Sequence, residues 1–315
     1  MESRHEGHAA IANPDGRIVE AWGDPGMVIL PRSSAKMLQA LPLLESGAGT
    51  DLSSERLALA CASHSGERHQ VFLVCQWLAD LGLDDNALLC GPQASRDREH
   101  CLWMDRVGKK VTRVYNNCSG KHAGFLTLAR RLDAGLDYVD PDHPVQRSVR
   151  LAIEETCDEE SPGFGIDGCS APNYAVSIAG LARAMAQFAA AGGSGSIRDV
   201  AMKRIVDAMI AHPDLVSGHG RACAALMESA NEPLAVKTGA EGVYVAILPK
   251  RKLGIALKIA DGATRASEVA MAVLLARFGA INENHPLLNS DIRNWDGLAT
   301  GVMRPATGFA TPPRG

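Results

Sequence analysis

The sequence has few aromatic residues, no marked excess of charge and no long hydrophobic run. Phe, Trp and Tyr make up 4% of its 315 residues, so the core must consist mainly of Ala, Leu, Val and Ile. The 32 basic and 36 acidic side chains give a net charge of −4, without the basic excess of nucleic-acid-binding proteins. No apolar stretch approaches the roughly 18 residues of a membrane span, and the N-terminal segment lacks an apolar signal core. We therefore expect a soluble, cytoplasmic protein that binds neither nucleic acid nor membranes.

Signatures of disulfide frameworks and of common metal sites are also absent. The eight cysteines are spread along the chain, and several lie in apolar segments, which is typical of reduced thiols in a cytosolic protein. Neither CxxC nor HExxH occurs. The sequence does contain 46% hydrophobic residues, enough to bury a sizeable core and to exclude disorder over most of the chain.

The spacing of apolar residues predicts strands at the two ends of the chain and helices between them. Residues 8–22 alternate around an Asn-Pro-Asp-Gly turn and predict a β-hairpin. Period-two spacing returns at 234–259, which predicts a short strand followed by a second hairpin. Helical spacing predicts helices from the SSAK tetrad onwards and at 55–62, 69–81, 119–132, 144–157, 176–190, 197–211 and 263–281.

This order of elements predicts a single catalytic unit with two lobes. If the two distant hairpins share one antiparallel sheet, the helices inserted between them form a second lobe. We expect an α/β lobe at about 1–50 and 230–285, a mainly helical lobe at about 51–229, and a loosely packed tail at 286–315. The cleft between the lobes is the expected site.

An SxxK tetrad begins at Ser33 and ends at Lys36, at the start of the first predicted helix. Residues three apart share one face of a helix, so the Ser33 hydroxyl and the Lys36 amine can share a proton. A serine hydroxyl becomes a good nucleophile when a base removes its proton, and a desolvated lysine can be that base. The tetrad is also compatible with a surface serine beside a solvated lysine.

A KTG tripeptide, Lys237, Thr238 and Gly239, lies just before the second predicted hairpin. An early SxxK helix and a late KTG strand together have the layout of penicillin-recognising serine enzymes. In that layout the tripeptide supplies a cation and a hydroxyl facing the nucleophile. Taken alone, it is an ordinary connection from strand to turn.

Ser65 is a further candidate because it lies in a loop of small residues that ends in Ser-Gly-Glu. Such a loop can present the Ser65 hydroxyl and a backbone N–H to a cleft. The same residues can instead cap the following helix, and His64 is then a structural histidine.

Cys118, Lys121 and Cys169 form a possible zinc-binding set. Cys118 and Lys121 are three residues apart at a predicted helix start, and Cys169 lies in a loop. Two thiolates and an amine, with water in a fourth position, can bind zinc once the lysine has lost its proton. Two buried thiols beside a solvated amine, or a redox pair, explain the same residues.

Longer segments resemble a known family, the rhizobial-type L-asparaginases, which are the asparaginase II family with a serine β-lactamase-like fold. The similar segments are SRHEG, PRSSAKMLQALPL, LACASHSGE, NNCSGKHAGFL, PDHPVQ, IDGCSAPNYA, KTGAEGVYVAILP and GIALKIADGA. They run from Glu2 to about Gly279, and several are long and unusual.

The resemblance implies hydrolysis of L-asparagine to L-aspartate and ammonia through a serine acyl-enzyme, by a homodimer that contains zinc. It implies that Lys36 accepts the proton of the nucleophile Ser33, and that Ser65 with Lys237 relays protons to the leaving amine. Backbone N–H groups near Ser33 and around Thr238 and Gly239 are then expected to stabilise the oxyanion. The site residues that it implies are Ser33, Lys36, Ser65 and Lys237 for catalysis, Asp167, His122, Thr238 and Gly239 for substrate, and Cys118, Lys121 and Cys169 for zinc.

Two other functions account for part of these motifs. A penicillin-binding or β-lactamase-like amide hydrolase would also use SxxK and KTG, but its cell-wall substrates require export. A non-catalytic zinc or redox protein would use Cys118 and Cys169, but it would give Ser33, Lys36 and Lys237 no role.

Overall fold

The computed structural model describes residues 1–309 and builds them around a five-stranded antiparallel sheet. The strands of the described residues are β1 (Gly7–Ala12), β2 (Ile18–Trp22), β3 (Val28–Ile29), β4 (Phe164–Ile166), β5 (Pro172–Tyr174), β6 (Val176–Ser177), β7 (Ala235–Thr238), β8 (Val243–Leu248), β9 (Leu253–Ile259), β10 (Ser290–Arg293) and β11 (Ala299–Met303). The helices are α1 (Lys36–Glu45), α2 (Ser54–Ala60), α3 (Arg68–Asp80), α4 (Arg98–Arg106), α5 (Ser119–Arg131), α6 (Pro144–Cys157), α7 (Ile178–Ala190), α8 (Ile197–Ala211), α9 (Pro213–Ser217), α10 (Ala222–Glu228) and α11 (Thr264–Arg277).

The sheet joins the two ends of the chain, as the sequence predicts. Its strand order is β2-β1-β9-β8-β7, and β1 pairs with β9 in a register that places Ala10 opposite Ala256. Every residue of β8 is buried. Because successive side chains of a strand point to opposite faces, β8 is covered on both faces, which explains its uninterrupted apolar sequence. The predicted mixed α/β class, with an antiparallel sheet and helices, is confirmed.

Helix α7 packs directly on the sheet, against β1, β8 and β9. The predicted lobe boundaries place this helix in the helical lobe. In the structure it packs on the sheet instead, where it buries apolar side chains of β8 and β9. Gly254 permits the close approach, since a Cβ there would lie 2.1 Å from the Ala186 nitrogen and 2.3 Å from the Ala182 carbonyl oxygen. Helix α11 also contacts β8 and β9.

Helix α1 lies among α2, α5, α6 and α8 instead of on the sheet. Nine of its ten residues are buried, beginning with Lys36. The predicted boundaries assign this helix to the α/β lobe, but its apolar residues cover most of its circumference, and such a helix is stable only when other helices surround it. The central position of α1 fixes where the Lys36 side chain can go.

The chain after α11 is more regular than the loosely packed tail predicted at 286–315. Strands β10 and β11 form an antiparallel hairpin, although most of their residues are exposed. Residues 310–315 of that predicted tail lie outside the described residues. Within the described part of the chain, no helix has the length and apolar character required to cross a membrane.

We expect Gly254→Ala to destabilise the protein by about 1 to 3 kcal/mol, because the added methyl group would force α7 away from β9. Denaturant unfolding measures the change. Gly192→Ala is the matched control, since its Cβ would have no atom nearer than 4.0 Å. Equal stability of the two variants would contradict the packing described for α7.

Candidate active site

Two buried lysines converge on one serine hydroxyl, that of Ser63. The Lys36 Nζ lies 3.1 Å from Ser63 Oγ and the Lys237 Nζ lies 2.9 Å from it. Lys36 also donates to the carbonyl oxygen of Ala62, and Lys237 donates to that of Thr238 at 2.8 Å. Both lysines are 0% exposed. A hydroxyl between two amines can accept a proton from either one or pass a proton to it.

These three groups come from parts of the chain that only the fold brings together. Lys36 begins α1, and Lys237 lies on the edge strand β7, opposite Val245 of β8. Ser63 lies in the segment between α2 and α3, where its N–H donates to the Val216 carbonyl at 2.8 Å. This hydrogen bond holds the Ser63 backbone against the end of α9. The position of the Ser63 hydroxyl is therefore fixed by packing.

Ser33 lies one turn before Lys36, in the 3₁₀ turn Arg32–Ala35, and is partly exposed. The hydrogen-bond acceptors of the Lys36 amine are Ala62, Ser63 and Asn117, so Ser33 is not among them. The end of β7 packs on the same turn, because a Cβ on Gly239 would lie 2.6 Å from the Pro31 carbonyl oxygen. Ser33 and KTG are therefore neighbours in space.

The turn that carries Ser33 is held by contacts of Arg32 with Asp167 and Asn173, and only Asp167 is among the residues expected from the sequence. Arg32 has a φ of 54°, a left-handed conformation that is costly for a residue with a side chain. Its Nε donates to Asp167 Oδ1 at 2.6 Å, and its backbone N–H donates to Asn173 Oδ1 at 3.1 Å. Asp167, expected beside the substrate, thus binds the residue before Ser33. A left-handed arginine has no signature in a single sequence.

The Ser65 hydroxyl, which the resemblance pairs with Lys237, has a different hydrogen-bond partner in the structure. It donates to the Ser217 carbonyl at 2.9 Å. The chain turns just after Ser63, since the Gly66 N–H donates to His64 Nδ1 and Gly66 has a φ of 72°. Ser65 consequently contacts the last residue of α9, whereas the lysines contact Ser63.

The N–H groups of Thr238 and Gly239, near which the resemblance implies stabilisation of an oxyanion, already have hydrogen-bond acceptors in the structure. The Gly239 N–H donates to the Val243 carbonyl at 2.7 Å, and the Thr238 N–H donates to Cys223 Sγ at 3.3 Å. The turn between β7 and β8 uses the first of these donors, and a buried thiol uses the second. The structure gives Gly239 a steric role, because only a glycine fits against Pro31.

Cys118, Lys121 and Cys169 meet in a buried cluster, although Cys169 is far from the others in sequence. The Lys121 Nζ donates to Cys169 Sγ at 3.0 Å. A hydrogen bond from Cys118 lowers the pKa of the Cys169 thiol and raises that of Cys118 itself. Burial lowers the pKa of Lys121, but the nearby Cys169 and Cys118 outweigh burial and leave it raised. A thiol and an ammonium group thus both face the Cys169 sulfur, which favours its thiolate form.

The donor chemistry of this cluster fits zinc, which favours thiolate ligands. The neighbouring His122 donates or accepts through Nδ1 at 2.9 Å from the Tyr138 hydroxyl, and its ring also interacts with Cys169. Burial lowers the pKa of His122 to about 4, so the ring is neutral at pH 7. Two thiols and an amine, with a neutral imidazole beside them, are a donor set that a metal ion would satisfy.

The fold and these contacts define a mixed α/β protein in which two buried amines share a serine hydroxyl. The group of Cys118, Lys121 and Cys169, here called the thiol cluster, lies close to them. The chain belongs to the L-asparaginase II family, whose model matches residues 1–305. The family resemblance noted in the sequence is thereby confirmed. No match was found among curated proteins.

Solved structures similar to this chain are distant in sequence. One is a structure of Mglu, 14% identical, with a TM-score of 0.49, covering 88% of this chain and 68% of that chain. Others are a putative beta-lactamase from Bacteroides dorei (12% identical, TM-score 0.45, covering 81% and 87%) and the D-alanine carboxypeptidase AmpC from Burkholderia cenocepacia (13%, 0.40, covering 84% and 91%). This chain spans 60% of the Mglu chain in its tris and glutamate form.

We expect Ser63→Ala to lower the rate of amide hydrolysis by about 100-fold or more, because it removes the group that both lysines contact and with it a proton-transfer step. Ser65→Ala is the matched control in the same loop, and we expect it to keep most of the rate. Steady-state kinetics measure both variants. The reverse order of effects would restore the pairing of Ser65 with Lys237.

Lys237 makes stability depend on pH in a defined window. Burial lowers its pKa to about 8, Cys223 opposes this effect and Lys36 adds to it. An unfolded lysine has a pKa of about 10.4, so between about pH 8 and 10 the unfolded state binds more protons and the free energy of unfolding rises with pH. We expect a gain of about 3 kcal/mol across this window relative to Lys237→Met, measured by denaturant unfolding. If the free energies of unfolding of the wild type and of Lys237→Met changed equally with pH across this window, Lys237 would be charged in the folded state.

Proposed function

We propose that the protein is an L-asparaginase, which hydrolyses the side-chain amide of L-asparagine to L-aspartate and ammonia through a serine acyl-enzyme. The main supporting observation is the convergence of Lys36 and Lys237 on Ser63, beside the turn that carries Ser33. Membership of the L-asparaginase II family supports the amide substrate. The family and the buried amines together favour hydrolysis of an amide over a binding role.

In the first half of the proposed reaction, the Ser33 oxygen attacks the amide carbon of asparagine. Ser33 is the candidate nucleophile because it is partly exposed and follows a strained residue that fixes its position. Lys36, one turn away, accepts its proton. The bond between the amide carbon and nitrogen then breaks, and ammonia leaves with a proton that Ser63 passes on from Lys237. The product is an ester between Ser33 and the aspartyl side chain.

In the second half, water attacks the ester and its proton passes through Ser63 to Lys237, which is neutral after the first half. The bond from the carbonyl carbon to the Ser33 oxygen breaks, and Lys36 returns the proton to the serine. Lys36 and Lys237 are well suited to both steps because their partners are oxygen atoms of a hydroxyl and of backbone carbonyls. The pKa of Lys237, lowered to about 8 by burial, lets this amine give and take a proton near neutral pH.

We propose that Cys118, Lys121 and Cys169 hold zinc, with His122 and Asp167 beside it. A bound zinc ion would supply positive charge that attracts the α-carboxylate of the substrate, and a Lewis acid for its α-amine once that group has lost its proton. Asp167 links this cluster to the catalytic turn, because its Oδ1 accepts from Arg32 and its Oδ2 lies 3.7 Å from Cys169 Sγ. The contact allows occupancy of the thiol cluster to influence the position of Ser33.

The purified chain should release ammonia from asparagine, release it from glutamine about 10- to 200-fold less efficiently, and leave a β-lactam intact. The extra methylene of glutamine costs roughly 1 to 3 kcal/mol in a fitted pocket. An ammonia assay and a β-lactam hydrolysis assay, run side by side, measure these rates. Hydrolysis of the β-lactam alone would favour a penicillin-binding type of enzyme, and no turnover at all would favour a zinc or redox protein.

Ser33→Ala should lower kcat for asparagine by about 1,000-fold or more while zinc content stays unchanged, because it removes the covalent route. Ser34→Ala is the control in the same turn, since its buried hydroxyl donates to the Pro31 carbonyl at 2.7 Å and has no proposed chemical role. Mass spectrometry of the enzyme mixed with substrate identifies the esterified serine. An ester on Ser63 would make that residue the nucleophile.

A further inference from the structure

A second group of metal-binding side chains lies outside the thiol cluster. Glu67, His69 and His219 each offer one ligand atom within 4.8 Å of the other two. Glu67 Oε2 lies 2.6 Å from His219 Nδ1 and 3.8 Å from His69 Nδ1. Two imidazoles and a carboxylate are typical ligands of divalent transition metals such as Zn²⁺, Ni²⁺ and Cu²⁺.

The surroundings orient these ligands. The Nε2 of His69 is shielded from water, has no hydrogen-bond partner among the described residues and lies 3.2 Å from Asp214 Oδ2. A metal-binding histidine commonly has its second nitrogen against a carboxylate, while the first nitrogen faces the ion. Here Nδ1 is the nitrogen on the side of Glu67. Glu67 Oε1 accepts the backbone N–H of His219 at 3.0 Å, which leaves Oε2 between the two rings.

The backbone brings the segment that carries His219 close to the side chain of Glu67. Gly218, with a φ of 112°, joins Ser217 to His219, and a Cβ on it would lie 2.6 Å from Glu67 Oε1. Only glycine permits this approach. The surroundings also favour a cation, because the carboxylates of Glu67 and Asp214 both lie beside the imidazole rings.

We propose that Glu67, His69 and His219 bind a divalent transition metal ion, with Asp214 supporting His69. Tetrahedral zinc with ligands at about 2.0 to 2.1 Å needs ligand atoms about 3.3 Å apart, which lies between the two distances around Glu67 Oε2. Small side-chain rotations therefore complete the site. His69 and His219 are 40% and 70% exposed at their side chains, so an ion can enter from solvent.

The ion would tie together two segments that position the candidate active site. Glu67 and His69 follow the loop of Ser63, and His219 follows α9. These segments already share the hydrogen bond from the Ser63 N–H to the Val216 carbonyl and that from Ser65 to Ser217. A metal bridge would add a third link, and its expected role is to stabilise the loop. No ligand of this site is proposed to act on substrate.

The test is zinc binding by the full chain, measured by equilibrium dialysis against a series of buffered free Zn²⁺ concentrations. The wild type should bind one more zinc ion per chain than the double variant His69→Gln/His219→Gln. His212→Gln is the matched control, a histidine at the start of α9 that bonds to Ser54 instead. It should bind as much zinc as the wild type, and circular dichroism checks that all variants fold.

Two further variants separate this site from the thiol cluster and test its geometry. Cys118→Ser/Cys169→Ser should retain the ion bound by the histidines. Asp214→Asn should weaken that ion about 10- to 100-fold, the usual effect of losing a carboxylate behind a ligand, without changing the number of ions at saturation. Equal zinc content in the wild type and the double histidine variant, or loss of all zinc from the thiol variant, would overturn the proposal. Neither result depends on asparaginase activity.

Discussion

The candidate site depends on the burial of two lysine amines against a single serine hydroxyl. Removing an ammonium group from water is costly, and neither Lys36 nor Lys237 is compensated by a carboxylate among its hydrogen-bond partners. The fold offsets this cost by burying α1 among helices and by pairing β7 with β8. The lowered pKa of Lys237 reflects the part of this desolvation cost that the fold does not offset. The same lowered pKa makes the amine useful for proton transfer.

The thiol cluster and the lysine pair form one connected arrangement. Lys36 lies 3.5 Å from the Asn117 carbonyl, the residue before Cys118. On the other side, Asp167 accepts from Arg32 and lies near Cys169, so the turn with Ser33 is bound to the loop with the second thiol. The charges of Lys36 and Lys121 also act on the Cys118 thiol. A substitution in the thiol cluster should consequently alter the hydrogen bonds or charges around the lysine pair, and a substitution in the lysine pair should alter those of the thiol cluster.

Much of the fold follows from local patterns. The hairpin at 8–22, the strands at 243–248 and 254–259, and helices such as α6 and α8 are confirmed within a few residues, because each has clear periodicity and recognisable ends. Short elements such as α9 and α10 were not predicted, since they contain too few residues to show a period. The positions of α1 and α7 also escaped prediction, because periodicity shows that a helix has an apolar face and not which element covers it.

The sequence by itself determined the family, the SxxK and KTG motifs, and the two cysteines and lysine that meet in one cluster. Only the tertiary structure decided that Ser63 and not Ser65 lies between the lysines, that Arg32 adopts a left-handed conformation against Asp167, and that His69 and His219 share a carboxylate. The reason is physical. Residue type and spacing specify which groups can exchange protons or bind metals. The directions of Ser63 and Ser65, two residues of one mostly buried loop, depend on the turn between them and on the segment against which that turn packs.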